Sequence, residues 1–115
     1  CVFMPMVTQI SQCAFYQSHI QCISMPSIIS INEYAFAHNN FAIINLCSLK
    51  TLLGSYQFSD CRYLKTFIAL NLKNISNFCF SHCKMLQTVL TPNAIVSDFA
   101  FYFCNSLSTL LIQER

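Results

Sequence analysis

The chain has 115 residues, of which 55% are hydrophobic and 9% are charged, and its formal net charge is +2. This apolar content is enough for a folded core, so an intrinsically disordered chain is excluded. The six basic and four acidic residues are spread thinly, so no charged patch indicates a nucleic acid partner. No apolar stretch approaches the roughly 18 residues that cross a bilayer, so we expect no membrane span in this segment.

A motif centred on a phenylalanine recurs along the whole chain. Its copies are spaced 21, 22, 22 and 21 residues apart and are centred on Phe15, Phe36, Phe58, Phe80 and Phe101. An aliphatic residue stands five positions before each phenylalanine, at Ile10, Ile31, Leu53, Ile75 and Val96. A fixed period of about 20 to 50 residues is typical of solenoid proteins. The sequence therefore predicts a stack of similar turns.

Each copy ends in two apolar residues separated by one position, which predicts a short β-strand. In chain order the pairs are Ile23 and Met25, Ile44 and Leu46, Phe67 and Ala69, Val89 and Thr91, and Leu110 and Ile112. Three strands are followed by Pro5, Pro26 and Pro92. Proline lacks the N–H that a β-ladder needs, so it is tolerated just beyond a strand end.

A turn of about 22 residues is too short to close its own core, so each must stack on its neighbours. We therefore predict a repeat solenoid with a period of 21–22 residues and a parallel β-sheet on one face. Short helical or irregular turns would form the other face. Residues 1–115 are expected to be a single array of about five repeats. Because the chain begins with Cys1 rather than methionine, we also expect it to be a fragment of a longer array.

The apolar pairs should point into the core of the solenoid. The residues that alternate with them along each strand should face outward and form a candidate partner-binding surface. A contiguous exposed apolar strip can mark an interface. Threonine and isoleucine are also good strand formers, so the alternative is a strip with no role of its own, or one covered by flanking repeats or a second domain. The candidate residues are Ile43, Asn45, Thr66, Ile68, Thr88, Leu90, Thr109 and Leu111.

Cysteine recurs three positions after the repeat phenylalanine. Free cysteine behaves as a small hydrophobe, so we interpret these positions as core filling rather than as redox or metal sites. They are occupied by Cys61, Cys83 and Cys104, with Ser18 and Asn39 in the first two copies.

No other cluster of chemically active residues follows a catalytic or metal-binding pattern. Cys79, His82 and Cys83 include plausible zinc ligands, but a four-ligand site would need further residues within reach. The histidines His19, His38 and His82 follow the repeat phenylalanine and should lie on outer turns. A chain with one glycine cannot build a glycine-rich phosphate loop, and no catalytic triad is present. We therefore expect no enzyme activity, no cofactor and no metal.

The pattern Ile-x-x-x-Ala-Phe-x-x-Cys-x-x-Leu-x-x-Ile-x-Leu-Pro resembles the BspA-type leucine-rich repeat, and the clearest copies are residues 75–90 and 96–112. The family often places glycine after the leading isoleucine, whereas only Gly54 fits here. The resemblance covers the whole chain. It implies a leucine-rich-repeat fold and a non-catalytic protein-binding or adhesive module. The family is known mainly from surface proteins of mucosal bacteria and parasitic protists, so a host protein or glycoprotein is the implied ligand.

The compartment stays open on the sequence alone. An intracellular scaffold for signalling or assembly would have the same architecture, with all eight cysteines reduced. The sequence Asn74-Ile75-Ser76 also fits the acceptor pattern for N-glycosylation, which would apply only to an exported protein. Single matches of this kind are common by chance. At this turn the Asn74 side chain could point outward.

Overall fold

The structure is a computed structural model that describes residues 1–113. Within these residues the chain forms short strands joined by turns, and it contains no helix. In chain order the strands are β1 (Val2–Phe3), β2 (Gln9–Ile10), β3 (Ile23–Ser24), β4 (Ser30–Ile31), β5 (Ile43–Asn45), β6 (Thr51–Leu52), β7 (Thr66–Ile68), β8 (Asn74–Ile75), β9 (Thr88–Leu90), β10 (Ile95–Val96) and β11 (Thr109–Leu111). The predicted parallel solenoid is confirmed, and its turns take the irregular form.

The odd-numbered strands stack on one side of the solenoid and form the main sheet. β5, β7, β9 and β11 pair in parallel as one four-stranded ladder, and β1 pairs in parallel with β3. No strand ladder joins β3 to β5 within the described residues. A shallow cavity of about 260 Å³ lies at this gap and is lined by both strands.

The even-numbered strands form a second, narrower row. β2, β4 and β6 pair in parallel, as do β8 and β10. The gap between β6 and β8 is bridged by a side chain, because the Leu52 N–H donates to Asn74 Oδ1 at 3.2 Å and Asn74 Nδ2 donates to the Leu52 carbonyl at 3.1 Å. The amide of the possible glycosylation acceptor therefore replaces a missing rung between adjacent turns.

The repeat phenylalanines form a continuous column through the core. Neighbouring rings lie nearly parallel with centroids 5.4 to 5.7 Å apart. Phe36, Phe58 and Phe80 are fully buried, as the period predicted, while the outermost rings of Phe15 and Phe101 are only partly buried. Each ring thus packs between the turns before and after it, so the core is shared between neighbouring turns rather than closed within one.

The aliphatic position of the third copy is Leu52, and the prediction of Leu53 is wrong. Leu52 pairs with Ile31 and is buried, whereas Leu53 is 48% exposed. Gly54 is the extra residue of this turn and has a φ of +85°. The fully buried Gln57 stabilises the longer turn, because its Nε2 donates to the Leu53 carbonyl at 2.9 Å. This contact also explains why the large Gln57 stands directly before the repeat phenylalanine, where the other copies have the small residues Ala14, Ala35, Cys79 and Ala100.

The outer corners of the solenoid are built from residues in the left-handed region. In every copy the residues two positions before and two positions after the repeat phenylalanine have φ between 52° and 64°. For non-glycine residues this conformation is uncommon, and it turns the chain sharply. The members are Cys13, Tyr34, Tyr56, Phe78 and Phe99 before the phenylalanine, and Gln17, His38, Asp60, His82 and Phe103 after it.

Cys1 and Cys22 form a disulfide between the turns that carry β1 and β3, with their Cα atoms 4.8 Å apart. The other six cysteines are free. The expectation, attached to an intracellular scaffold, that all eight cysteines are reduced does not hold for this structure. No pairing was predicted, although the two cysteines are 21 residues apart and stand at equivalent positions directly before β1 and β3.

Candidate functional site

The eight candidate residues of the main sheet lie together in two straight rows. The strand register places Ile43, Thr66, Thr88 and Thr109 in one row and Asn45, Ile68, Leu90 and Leu111 in the other. Parallel strands lie about 4.8 Å apart, so each row runs roughly 14 Å across the four strands. The structure therefore brings together every residue that the alternation assigned to this face.

Burial alternates along these strands as predicted. Ile44, Phe67 and Val89 are buried beneath the sheet, whereas the flanking residues are half-buried or exposed. Ile43 is 62% exposed at one end of the face, and Leu111 is 51% exposed at the other. In the last strand the inward position Leu110 remains 42% exposed, because β11 has a paired strand on one side only.

The cysteine positions form a hydrogen-bonded ladder inside the solenoid. The thiols of Cys61, Cys83 and Cys104 donate to the carbonyls of the repeat phenylalanines one turn earlier, at 3.4, 3.1 and 3.0 Å. Burial raises the pKa of Cys61 to about 12 and that of Cys83 well above its ordinary value. These thiols are therefore neutral at physiological pH, which fits a structural role rather than nucleophilic chemistry.

Asn39 occupies the same position in the second copy and makes the same contact more fully. Its Nδ2 donates to the Phe15 carbonyl at 2.8 Å and to the Phe36 carbonyl at 3.0 Å. Its Oδ1 accepts from the Ile20 N–H at 2.9 Å. An amide or a thiol can fill this position because each donates a hydrogen bond to the preceding turn.

The structure separates the residues that resembled zinc ligands. Cys79 and Cys83 are buried in the core, and burial raises the pKa of both thiols. His82 lies at a left-handed corner and contacts the ring of Tyr102, with centroids 5.8 Å apart. Across residues 1–113, no group of three or more His, Cys, Asp or Glu side chains is arranged to hold a metal ion.

A second surface, which the sequence analysis missed, lies over the outer corners and is called here the outer groove. It is a cavity of about 350 Å³. One wall is a stack of aromatic rings and the other carries charged and polar corner residues. The groove is lined by Tyr16, Tyr34, His38, Tyr56, Ser59, Asp60, Phe78, Ser81, His82 and Tyr102.

The aromatic wall is continuous over four turns. The rings of Tyr34 and Tyr56 stack with centroids 4.7 Å apart, those of Tyr56 and Phe78 at 5.1 Å, and those of Phe78 and Phe99 at 5.4 Å. These residues all lie two positions before the repeat phenylalanine, so their spacing of 21 or 22 residues was visible in the sequence. Only the left-handed corner shows that they face outward.

The polar wall contains a side-chain contact between adjacent turns, because His38 Nε2 lies 3.5 Å from Asp60 Oδ2. Both side chains are about one-third exposed, at 35% and 33%. On the far side of this wall lies a more polar cavity of about 410 Å³, where His19 and Arg62 are among the lining residues. All three histidines predicted to lie on outer turns, His19, His38 and His82, therefore border surface cavities.

Stacked turns of 21 or 22 residues, with short parallel strands on one side, have the architecture of a leucine-rich-repeat solenoid. The description BspA type leucine rich repeat region matches residues 3–115 in six copies. The chain therefore belongs to the BspA-type leucine-rich repeat family, whose repeat modules generally act in protein interactions. Comparison with curated proteins found no match, and comparison with solved structures found none either. Among the described residues there is no helix long and apolar enough to cross a membrane.

Proposed function

We propose that the chain is a non-catalytic binding module that contacts a protein or glycoprotein partner through the main-sheet face. The observation that carries this proposal is the pair of uninterrupted rows on β5, β7, β9 and β11. One row presents the half-buried Ile68 and Leu90 between the exposed Asn45 and Leu111, and the other runs from the exposed Ile43 along three threonines. Solenoid proteins use such extended faces for recognition.

The size of the rows indicates which part of an interface they supply. Two rows about 14 Å long and roughly 7 Å apart cover on the order of 100 Å². One partner in a standard protein interface buries about 800 Å². The rows therefore form the apolar centre of a contact, and adjacent loops or further repeats supply its polar rim.

We further propose that this module belongs to a cell-surface or secreted protein and serves in adhesion to host or matrix macromolecules. Membership of the BspA-type family supports this proposal. The Cys1–Cys22 disulfide supports it as well, because disulfides persist mainly in oxidising compartments.

The test is to express the chain on the surface of a non-adherent cell and to score attachment to a panel of purified mucosal and extracellular-matrix proteins. Ile68→Glu and Leu90→Glu together should abolish attachment, because they place two charges at the apolar centre. Ile95→Glu is the matched control: Ile95 is 44% exposed on the second row of strands. Circular dichroism verifies that each variant folds. Attachment that survives the double substitution, or is lost equally with Ile95→Glu, would contradict the sheet-face assignment.

The second candidate is an intracellular scaffold, and the six free cysteines favour it. Cys13 and Cys47 are exposed thiols, which persist more readily in a reducing compartment. Thiol titration of the denatured protein isolated from its source cell separates the two. Six reactive thiols support the exported module, and eight support the scaffold.

A further inference from the structure

The floor of the outer groove carries two hydroxyl groups without partners. Ser59 and Ser81 follow the repeat phenylalanine, and each residue is only 2% exposed. Neither Oγ makes a hydrogen bond within residues 1–113, yet both residues line the groove. No buried side-chain oxygen or nitrogen of the described residues lacks a partner, so these two hydroxyls open onto the groove, where they can exchange hydrogen bonds with a ligand.

The rest of the groove combines an apolar wall with few polar groups. The stacked rings of Tyr34, Tyr56 and Phe78 form the apolar side, and Asp60 provides a carboxylate opposite them. The volume of about 350 Å³ lies within the range of small-molecule sites. Such sites use apolar walls for contact area and a small number of polar groups for orientation.

Two tyrosines bound the groove at its ends. The ring of Tyr16 lies at 84° to that of Tyr34, and the ring of Tyr102 lies at 80° to that of Phe78. Each of these tyrosines directly follows a repeat phenylalanine, as Ser59 and Ser81 do. Tyr16 lies one turn before Ala37, and Tyr102 lies one turn after Ser81. The open floor therefore spans three turns, where the small residues Ala37, Ser59 and Ser81 stand.

We propose that the outer groove binds a neutral saccharide of one or two sugar rings. Sugar hydroxyls donate to the Asp60 carboxylate and exchange hydrogen bonds with Ser59 and Ser81, while the apolar C–H surface of the sugar packs against the edges of the stacked aromatic rings. No lysine or arginine lines the groove, and the Asp60 carboxylate would repel the negative charge of an acidic sugar. This site lies apart from the main-sheet face and does not depend on its function.

A lysine or arginine side chain of a partner is the competing occupant, since Asp60 and aromatic rings attract cations. The geometry disfavours it in two ways. The faces of Tyr34, Tyr56 and Phe78 are covered by one another, which leaves mainly ring edges toward the groove, and ring edges carry positive partial charge. His38 Nε2 also lies 3.5 Å from Asp60 Oδ2, so the imidazole already occupies one side of the carboxylate.

The test uses saturation-transfer NMR on the 115-residue chain, followed by titration calorimetry. The probes are glucose, galactose, mannose, N-acetylglucosamine and their common disaccharides, with glucuronate and arginine methyl ester as charged comparisons. We expect saturation transfer to at least one neutral sugar at concentrations up to about 10 mM, corresponding to a binding free energy of a few kcal/mol. Glucuronate and arginine methyl ester should show none.

Ser81→Ala is a conservative probe, because Ala37 already stands at the same repeat position and is fully buried. It should weaken sugar binding about three- to tenfold, as expected for one lost hydrogen bond. Asp60→Ala should weaken it by about tenfold or more, because its hydrogen bonds are charge-assisted. Thr8→Ala is the control, because Thr8 is exposed and lies outside the groove lining, and it should leave sugar binding unchanged.

Three outcomes would overturn the proposal: no transfer to any neutral sugar, affinity that neither groove substitution changes, or competition by arginine methyl ester. The last outcome would assign the groove to a cationic side chain instead. Unchanged circular dichroism of Ser81→Ala separates loss of the site from loss of the fold.

Discussion

Removing one ring from the phenylalanine column should destabilise the whole array. Phe58 is fully buried, with parallel rings at 5.6 Å toward Phe36 and 5.7 Å toward Phe80. It also meets the edges of Phe41 at 6.5 Å and Phe67 at 5.3 Å. Because it packs against the turns on both sides, Phe58→Ala weakens two turn interfaces at once. We expect a loss of about 3 to 5 kcal/mol in the free energy of unfolding.

The assay is urea denaturation followed by circular dichroism. With a slope of roughly 2 kcal/mol per molar urea, the loss corresponds to a midpoint lower by about 1.5 to 2.5 M. Phe99→Ala is the control, because this ring is 62% exposed at the end of the outer stack. It should cost less than about 1 kcal/mol, as is usual for exposed positions.

A cost below about 1 kcal/mol for Phe58→Ala would refute the reasoning, since it would mean that the column contributes little to the stacking of turns. The slope is a second readout. Loss of one central ring should leave it unchanged if the array unfolds as a unit, whereas a lower slope would show that the outer turns unfold separately.

Three further predictions concern the backbone and the thiols. Gly54→Ala should destabilise the fold by about 1 to 2 kcal/mol, because φ is +85° and an added Cβ would lie 2.9 Å from the Cβ of Glu33; a neutral or stabilising effect in thermal denaturation would argue against the extra residue placed there. Stability should also fall as pH rises from about 9 toward 12, because burial raises the folded-state pKa of Cys61 from 9.0 to about 12 and ionisation then favours the unfolded chain. Each such thiol contributes roughly 1.4 kcal/mol per pH unit in this window, so Cys61→Ser should flatten the pH dependence of the urea midpoint. A thiol reagent at neutral pH should label Cys13 and Cys47 rapidly and Cys61 only after denaturation; equal labelling rates would show that the ladder is not buried.

The period and the alternation of the sequence were enough to predict the parallel solenoid and its main face. A turn of about 22 residues cannot bury its apolar residues alone, so stacking follows from the repeat itself. Strand alternation then separates Phe67 and Val89, which are buried, from Thr66 and Thr88, which are not. These inferences use only interactions between equivalent positions, and equivalent positions are visible in the sequence.

Three features could be recognised only in the tertiary structure, because the repeat pattern alone does not determine them. Leu52 rather than Leu53 is paired and buried because the chain accommodates the extra residue at Gly54. Both candidates are leucine, so the hydrophobic pattern could not distinguish them. Cys1 and Cys22 stand at equivalent positions, but only the stacked backbone shows that their Cα atoms lie 4.8 Å apart. The outer groove depends on backbone torsion, because left-handed corners turn Tyr56 and Asp60 outward on either side of Ser59. Hydrophobic pattern determines which residues are buried, but the path of the backbone decides which exposed side chains meet.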